Sequence, residues 1–292
     1  MEKDSGKRLL IITVDLEEWF HILDVPKLPN INSWEKYEIR IYDNTNKILE
    51  ILSKNNIKAT FFILGWIAKR YPDLIKLIKK QGHEIGSHSQ NHILIYKMDQ
   101  RQFRKDLIDS IETLQNIIND QVIYFRAPGF SIKENSMWAI KVLGECGIKF
   151  DSSIFPASRS HGGIKSFNLY KPFLFEENNN LIKEFPISIY KYGIFRIPFS
   201  GGGYFRFIPL KVFEYFVKSS DYVITYFHPR DFDPTQPRIN DIPILRKIKF
   251  YYGLNNSFEK FKKLLKKYKF ISIGMADELI NWNEVPIRKL KY

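Results

Sequence analysis

The sequence predicts an α/β fold, a distorted βα barrel with about seven parallel strands. Three observations carry this. Apolar strand-like runs alternate with helix-like runs along most of the chain, which calls for a parallel sheet. The alternation is long for a flat sheet. No Pro/Gly/Ser linker or shift of composition divides the 292 residues, so a single domain spanning 1–292 is expected.

The elements follow in order. "RLLIITVD" (8–15) is a buried strand, because its apolar residues are continuous rather than alternating. "NTNKILEILSKNN" (44–56) is a helix with Asn44 as cap and Ile48, Leu49, Ile51 and Leu52 apolar. "KATFFIL" (58–64) is a strand. "YPDLIKLIKKQG" (71–82) is a helix, with Pro72 at its first position and Gly82 at its end. "HEIGSH" (83–88) is the next strand. "FRKDLIDSIETLQNII" (103–118) is a helix with Phe103, Leu107, Ile111, Leu114 and Ile118 on one face. Strand "VIYFRA" (122–127), helix "SMWAIKVLGECG" (136–147) and strand "IKFDSS" (148–153) continue the pattern. Strands "KEFPI" (183–187), "YVITYF" (222–227) and "FISIG" (270–274) complete it. Residues 20–43 and 156–221, rich in proline and carrying "SGGGYFR", are expected to be irregular loops over one end of the barrel.

Composition bounds the function. A 44% hydrophobic chain of this length builds a sizeable core, and 15% aromatics argue against disorder. With Cys146 alone there is no internal disulfide, and its apolar setting reads as packing. The run near the N-terminus is short and interrupted by Asp15, unlike a signal peptide. No run approaches the about 18–20 apolar residues that span a bilayer. The expectation is a cytoplasmic protein, with contact at the inner face of an acidic membrane as the alternative. A net charge of +13 favours anionic partners. No nucleic-acid-binding motif is present, so nucleic acid is not expected as a partner. "FEKFKKLLKKYKF" (258–270) reads first as a surface helix with a solvated basic face, and second as a helix resting on acidic lipid.

The chemistry collects at strand ends, where barrels of this kind keep their active sites. "HEIGSHSQNH" (83–92) ends in His88 and His92, four apart. Two imidazoles so spaced can share one metal ion, usually zinc, given a third ligand and an open position for water. In "TVDLEEW", Asp15 and Glu17 point to one face of an extended chain while Glu18 points away. One carboxylate can then hold the metal while the other acts on water. "FRAPGF" supplies Arg126, and "YFHPRDFD" supplies His228. "GGGYFR" (201–206) lacks the lysine of a phosphate loop and reads as a tight turn, or else a wall of the substrate groove. His161 reads as a loop residue and His21 as lining the mouth of the site.

Thr13-Val14-Asp15, His88-Ser89-Gln90-Asn91-His92, Arg126-Ala127-Pro128-Gly129 and Phe227-His228-Pro229 occur in an order that resembles the polysaccharide deacetylases with NodB homology, the family-four carbohydrate esterases. The resemblance runs over most of the chain. "NTNKILEIL", "DSSIFP", "GGGYFR" and "YFHPRDFDPTQPR" resemble the branch associated with bacterial exopolysaccharide and surface-glycan loci. Two departures stand out. Leu16 replaces the family's second aspartate, which shifts the metal carboxylate to Glu17. Only "DSSIFP" answers to the fourth motif, so the partner that tunes the acid is open, with Asp277 a candidate whose other reading is a helix cap.

What the resemblance implies is a zinc-dependent carbohydrate N-deacetylase, with cobalt or nickel able to replace zinc. Glu17, His88 and His92 hold the ion, Asp15 is the base and His228 the acid. Arg126 pairs with Asp15 and fixes its direction, and a backbone N–H at Gly129 or Phe130 receives the oxyanion. The substrate is an N-acetylated amino-sugar of a surface glycan or its anionic, carrier-linked precursor. A related C–N hydrolase, such as a sugar deformylase or an allantoinase-like amidohydrolase, is the alternative, and a non-catalytic glycan-binding barrel the third reading. The sugar, the carrier and the oligomeric state are left open.

Overall fold

Nine strands form one sheet in the computed structural model, which describes residues 8–23, 31–159, 161–177, 180–239 and 242–290. In chain order, β1 (Leu9–Leu16) leads to α1 (Ile41–Lys54), β2 (Thr60–Ile63), α2 (Gly65–Arg70), α3 (Pro72–Lys80) and β3 (Glu84–Ser87). Then come α4 (Gln100–Ile118), β4 (Tyr124–Phe125), α5 (Trp138–Glu145) and β5 (Phe150–Asp151). Next are β6 (Phe173–Glu177), β7 (Asn180–Glu184), the hairpin of β8 (Ile189–Tyr192) and β9 (Phe195–Pro198), α6 (Gly202–Phe207), α7 (Leu210–Lys218) and β10 (Tyr222–Phe227). The last elements are α8 (Ile244–Tyr251), α9 (Leu254–Lys267), α10 (Ile273–Asp277) and β11 (Ile287–Lys289).

The strand order is β10-β1-β2-β3-β4-β5-β7-β6-β11. Neighbours from β10 through β7 are all parallel, so the expected run of parallel strands is present. β6 turns back antiparallel on β7 and carries β11. The ladder does not continue from β7 round to β10. Isolated bonds span that gap: the Tyr222 hydroxyl donates to the Pro186 carbonyl at 2.8 Å, and the Ile224 N–H donates to Ser188 Oγ at 2.9 Å. Tyr226 N–H donates to the Ser200 carbonyl at 3.1 Å. The barrel is distorted for this reason.

Strand alternation sorts the side chains. Leu10, Ile12, Val14, Phe61, Ile63, Ile85, Phe125, Val223 and Phe227 belong to the large core under the helices. Their alternates Ile11, Phe62, Phe150, Tyr222, Ile224 and Tyr226 form a second apolar cluster inside the barrel. Asp15, His88, Arg126 and His228 share the parity of this inner set, which aims them inward. The outer core is sealed by helices with one buried stripe each. α4, for example, buries Phe103, Leu107, Ile111 and Leu114 and starts at a capping box of Asp99 and Gln102.

Four expectations change. Asn44 does not cap α1, which begins three residues earlier; the carboxylate of Glu18 accepts from the N–H groups of Arg40 and Ile41 there, both at 2.8 Å, and Asn44 donates to Asp233 at 2.9 Å. "FISIG" makes a single bridge, Ile11 with Ile271, because Ser272 caps a helix at once. The 156–221 segment is largely regular, holding β6 to β9, α6 and α7. Its strands are short and half-exposed, so their apolar pattern is weak. In α9, Leu254, Phe261, Leu264 and Leu265 are buried, so the stripe that could have faced lipid is spent in the core. Cys146 is half-buried and burial raises its thiol pKa, as suits a packing residue. No helix of the described residues is long and apolar enough to cross a membrane.

Gly86 lies on the inner face of β3, where an added Cβ would sit 2.8 Å from Tyr124 Cβ and 2.9 Å from Phe62 Cδ1. Gly86→Ala should therefore destabilise the protein by ~1–3 kcal/mol, as overpacking does. Urea unfolding checks this, and an unchanged midpoint would contradict the packing.

Candidate active site

Leu16, Ile63, Ser87, Phe125 and Asp151 are aligned across β1 to β5. The next residue on three of these strands is Glu17, His88 or Arg126, so the register delivers them together at the C-terminal rim. Val14 pairs with Phe227, which sets His228 beside Asp15.

Glu17, His88 and His92 form the first cluster. Glu17 Oε1 lies 2.9 Å from the Nε2 atoms of both histidines, and all three residues are buried. His88 Nδ1 lies 2.7 Å from the Arg126 carbonyl, which places the proton on Nδ1 and leaves Nε2 as a ligand atom. The turn to His92 passes through positive φ at Ser89 (69°) and His92 (56°), a conformation held by specific bonds. Ser89 Oγ accepts from His92 N–H at 3.0 Å, and Asp106 of α4 accepts from Gln90 N–H at 2.8 Å. Burial works against ionisation of Glu17, but the His92 charge and the bonds from both histidines hold its pKa well below the usual carboxylate range. A carboxylate oxygen and two imidazole nitrogens within 4.8 Å of one another suit a divalent transition metal.

Asp15 and Arg126 form the second feature. Arg126 is completely buried, and its Nη1 donates to Asp15 Oδ1 and to Thr13 Oγ1, both at 2.7 Å. The other carboxylate oxygen of Asp15 faces His228 Nε2 at 3.8 Å.

His228 and Asp231 form the third. His228 Nδ1 lies 3.0 Å from Asp231 Oδ2, and Arg206 Nε donates to Asp231 Oδ1 at 3.1 Å. Burial would lower the His228 pKa, but the Asp231 bond and the charges of Glu17, Asp231 and Asp15 outweigh it and raise it to about 9. Burial likewise disfavours the Asp231 charge, yet His228 and Arg206 hold its pKa at about 2.

These groups open on a pocket of about 220 Å³. Asp15, Glu17, His88, His92, Gly129, Phe130 and His228 all line it, and Arg126 lies beneath. Of the two oxyanion candidates, Phe130 N–H already donates to the Ala127 carbonyl at 3.0 Å, which leaves Gly129. Glu18 points away, as its strand position requires. His21, though buried, lines the pocket, and His161 joins its wall. "GGGYFR" is a short helix whose Gly203, Tyr204 and Arg206 form part of that wall. Asp277 neither caps a helix N-terminus nor meets His228; it pairs with Lys183 at 2.6 Å. From "DSSIFP", Ser152 binds Arg126 through its carbonyl at 3.1 Å and its hydroxyl at 2.8 Å. Sequence reasoning missed Asp231. The signal was its place three residues after His228 in "HPRD", within reach of the imidazole across one tight turn.

A metal-competent cluster, a clamped carboxylate and a paired imidazole at one end of a distorted βα barrel define the class: an α/β protein with a candidate metal site at its strand ends. Residues 36–149 match the polysaccharide deacetylase family, and residues 152–277 match a domain of unknown function, DUF3473. Over that first segment the chain is similar to the polysaccharide deacetylases. It is 36% identical over 96 residues to a peptidoglycan-N-acetylglucosamine deacetylase of Bacillus cereus, covering 32% of this chain and 35% of that protein. A second Bacillus cereus protein of the same name is 27% identical over 122 residues, 42% of this chain and 57% of that one. The chain thus spans about a third of the first of these two relatives and a little over half of the second. Among solved structures, a putative polysaccharide deacetylase from Mycobacterium smegmatis aligns with TM-score 0.67 and 17% identity, over 100% of this chain and 96% of that one. PuuE allantoinase aligns with TM-score 0.62 and 16% identity, over 94% and 91%. At these identities both likenesses concern the fold.

Two measurements test the site. The double substitution His88→Ala/His92→Ala should abolish stoichiometric metal by elemental analysis while the fold persists by circular dichroism; full metal content would remove these residues as ligands. Asp231→Asn takes away the charge and the bond that keep His228 protonated. A group needed in its protonated form fails as pH rises through its pKa, so the alkaline limb of the kcat/KM profile should move to lower pH. An alkaline limb at the wild-type position would show that Asp231 does not tune it.

Proposed function

We propose that this chain is a zinc-dependent hydrolase that removes the N-acetyl group from an amino-sugar of a bacterial surface glycan or its carrier-linked precursor. The observation that carries the reading is the meeting of Asp15 with His228, at 3.8 Å, beside the Glu17–His88–His92 cluster. A base and an acid are thereby held at one metal-competent position.

Glu17, His88 and His92 would hold the zinc, which would supply a Lewis acid to polarise the amide and acidify water. Asp15, steered by Arg126, removes a proton from the water as its oxygen bonds to the carbonyl carbon. The Gly129 N–H faces the developing oxyanion. His228 gives its Nε2 proton to the sugar nitrogen as the C–N bond breaks, because an unprotonated amide nitrogen is a very poor leaving group. Acetate and a free amino-sugar result, and the proton taken by Asp15 restores His228. The net charge of +13 draws anionic carriers and acidic membrane surfaces through its summed field.

Acetate release from a panel of neutral, carrier-linked and polymeric N-acetyl sugars tests the activity, with N-formyl sugars and allantoin as the competing amides. Faster turnover of either competitor would overturn the N-acetyl assignment. Asp15→Asn and His228→Ala should each lower kcat by ~10²–10⁴-fold with metal retained, the usual contribution of an acid or base. A near-normal rate in either would remove that residue from the reaction.

A further inference from the structure

The pocket carries more positive charge than the reaction above employs. Four cations line its wall: Arg159 from the segment after β5, Arg206 on α6, Arg230 just after β10, and Lys249 on α8. Among the described residues only Arg206 has a carboxylate partner, Asp231. The three carboxylates of the pocket are already engaged, Asp15 by Arg126, Asp231 by His228 and Arg206, and Glu17 by the two histidines.

Arg159 is held by neutral groups. Its Nη1 donates to the Tyr226 hydroxyl at 2.7 Å, and its guanidinium lies 4.7 Å from the Phe155 ring and 5.1 Å from the Phe130 ring. Arg230 donates to the Trp19 carbonyl at 3.2 Å and packs 5.4 Å from the Phe250 ring. Lys249 stands exposed at the rim. Partial burial and the charges of Arg159 and Arg246 push the Lys249 pKa down, as happens when like charges gather without an anion. The aromatic faces orient the two arginines but do not neutralise them, so the wall is poised for an anionic ligand.

We propose that Arg159, Arg230 and Lys249 form a subsite for a phosphate or diphosphate ester on the sugar whose acetyl group is removed. Three unpaired cations match a dianion better than the single charge of a carboxylate. Arg forks suit phosphate oxygens, and a rim lysine adds a point charge. All three residues lie within 152–277, the portion matched by the domain of unknown function. That portion accordingly carries carrier recognition, beside the acid His228. The substrate assignment rests on the deacetylase reading above; the anion site itself does not.

The test uses the metal-loaded full chain and the double variant Arg159→Gln/Lys249→Gln. Lys211→Gln/Lys218→Gln, at two exposed positions of α7 away from the pocket, controls for the two lost charges. Circular dichroism and metal content establish that each variant is folded and loaded. By calorimetry, N-acetylglucosamine 1-phosphate should bind the double variant at least about tenfold more weakly than wild type, a loss of ~1.4 kcal/mol. The control variant should match wild type. In acetate release, the kcat/KM preference for phosphorylated over neutral N-acetylglucosamine should collapse in the double variant through KM. A nucleoside-diphosphate sugar and a short-chain polyprenyl-diphosphate sugar extend the series; tighter binding of either supports the site and names its source. Equal binding of N-acetylmuramic acid, a carboxylate, would overturn the phosphate assignment. So would a wild-type protein indifferent to phosphorylation, or a double variant that keeps the preference. If the phosphorylated sugar binds as described but no substrate releases acetate, the deacetylase reading fails and the anion site stands.

Discussion

The buried guanidinium of Arg126 is the contact on which the site depends. It joins Thr13 and Asp15 of β1 to Ser152 beyond β5, and its plane lies 4.2 Å from the ring of Phe62 on β2. A charge so deep is tolerable only with matched partners. Asp15 supplies one, and the neighbouring Asp151–Glu184 pair another, with burial and the Asp151 charge raising the Glu184 pKa well above the usual carboxylate range. The same residue works through its main chain, because its carbonyl holds His88 Nδ1 at 2.7 Å. One residue therefore sets both the direction of Asp15 and the tautomer of a metal-ligand candidate. Breaking such a pair leaves an uncompensated buried charge, which costs ~3–5 kcal/mol. Stability and the alignment of the site are inseparable at this point.

The site is assembled from three stretches of chain. Asp15 and Glu17 precede the segment that matches the polysaccharide deacetylase family, His88, His92 and Arg126 lie inside it, and His228 lies in the segment of unknown function. The sheet resolves this separation. β10 lies beside β1, so the seventh strand of the parallel run abuts the first, and a register pairing Val14 with Phe227 brings His228 to Asp15. The second half of the chain contributes β10 and β7 to the same parallel sheet, and without β10 the rim would lack His228.

Charge is divided across the pocket. The floor holds carboxylates and imidazoles, each tied to a partner that fixes its orientation. The wall holds arginines and a lysine steadied by aromatic rings and carbonyls. Arg206 joins the two regions, since it binds Asp231 while donating to the carbonyls of Phe250 and Tyr252 at the end of α8. Through it the helix carrying Lys249 is tied to the residue that tunes His228. Groups with separate chemical tasks are thus held by one network.

Much of the fold and site was legible in the residues alone. Continuous apolar strands alternating with amphipathic helices can bury their surfaces only in a parallel sheet covered by helices. The two-residue period of a strand sends Asp15 and Glu17 to one face and Glu18 to the other, whatever the tertiary structure. What the tertiary structure decided were contacts between residues remote in sequence. Packing set Asp277 against Lys183, far from His228. Packing turned the apolar stripe of α9 into core. The placement of three separate segments gathered Arg159, Arg230 and Lys249 on one wall. Local periodicity follows from covalent geometry and is written in the sequence, whereas such encounters depend on how separate strands and loops are placed against one another.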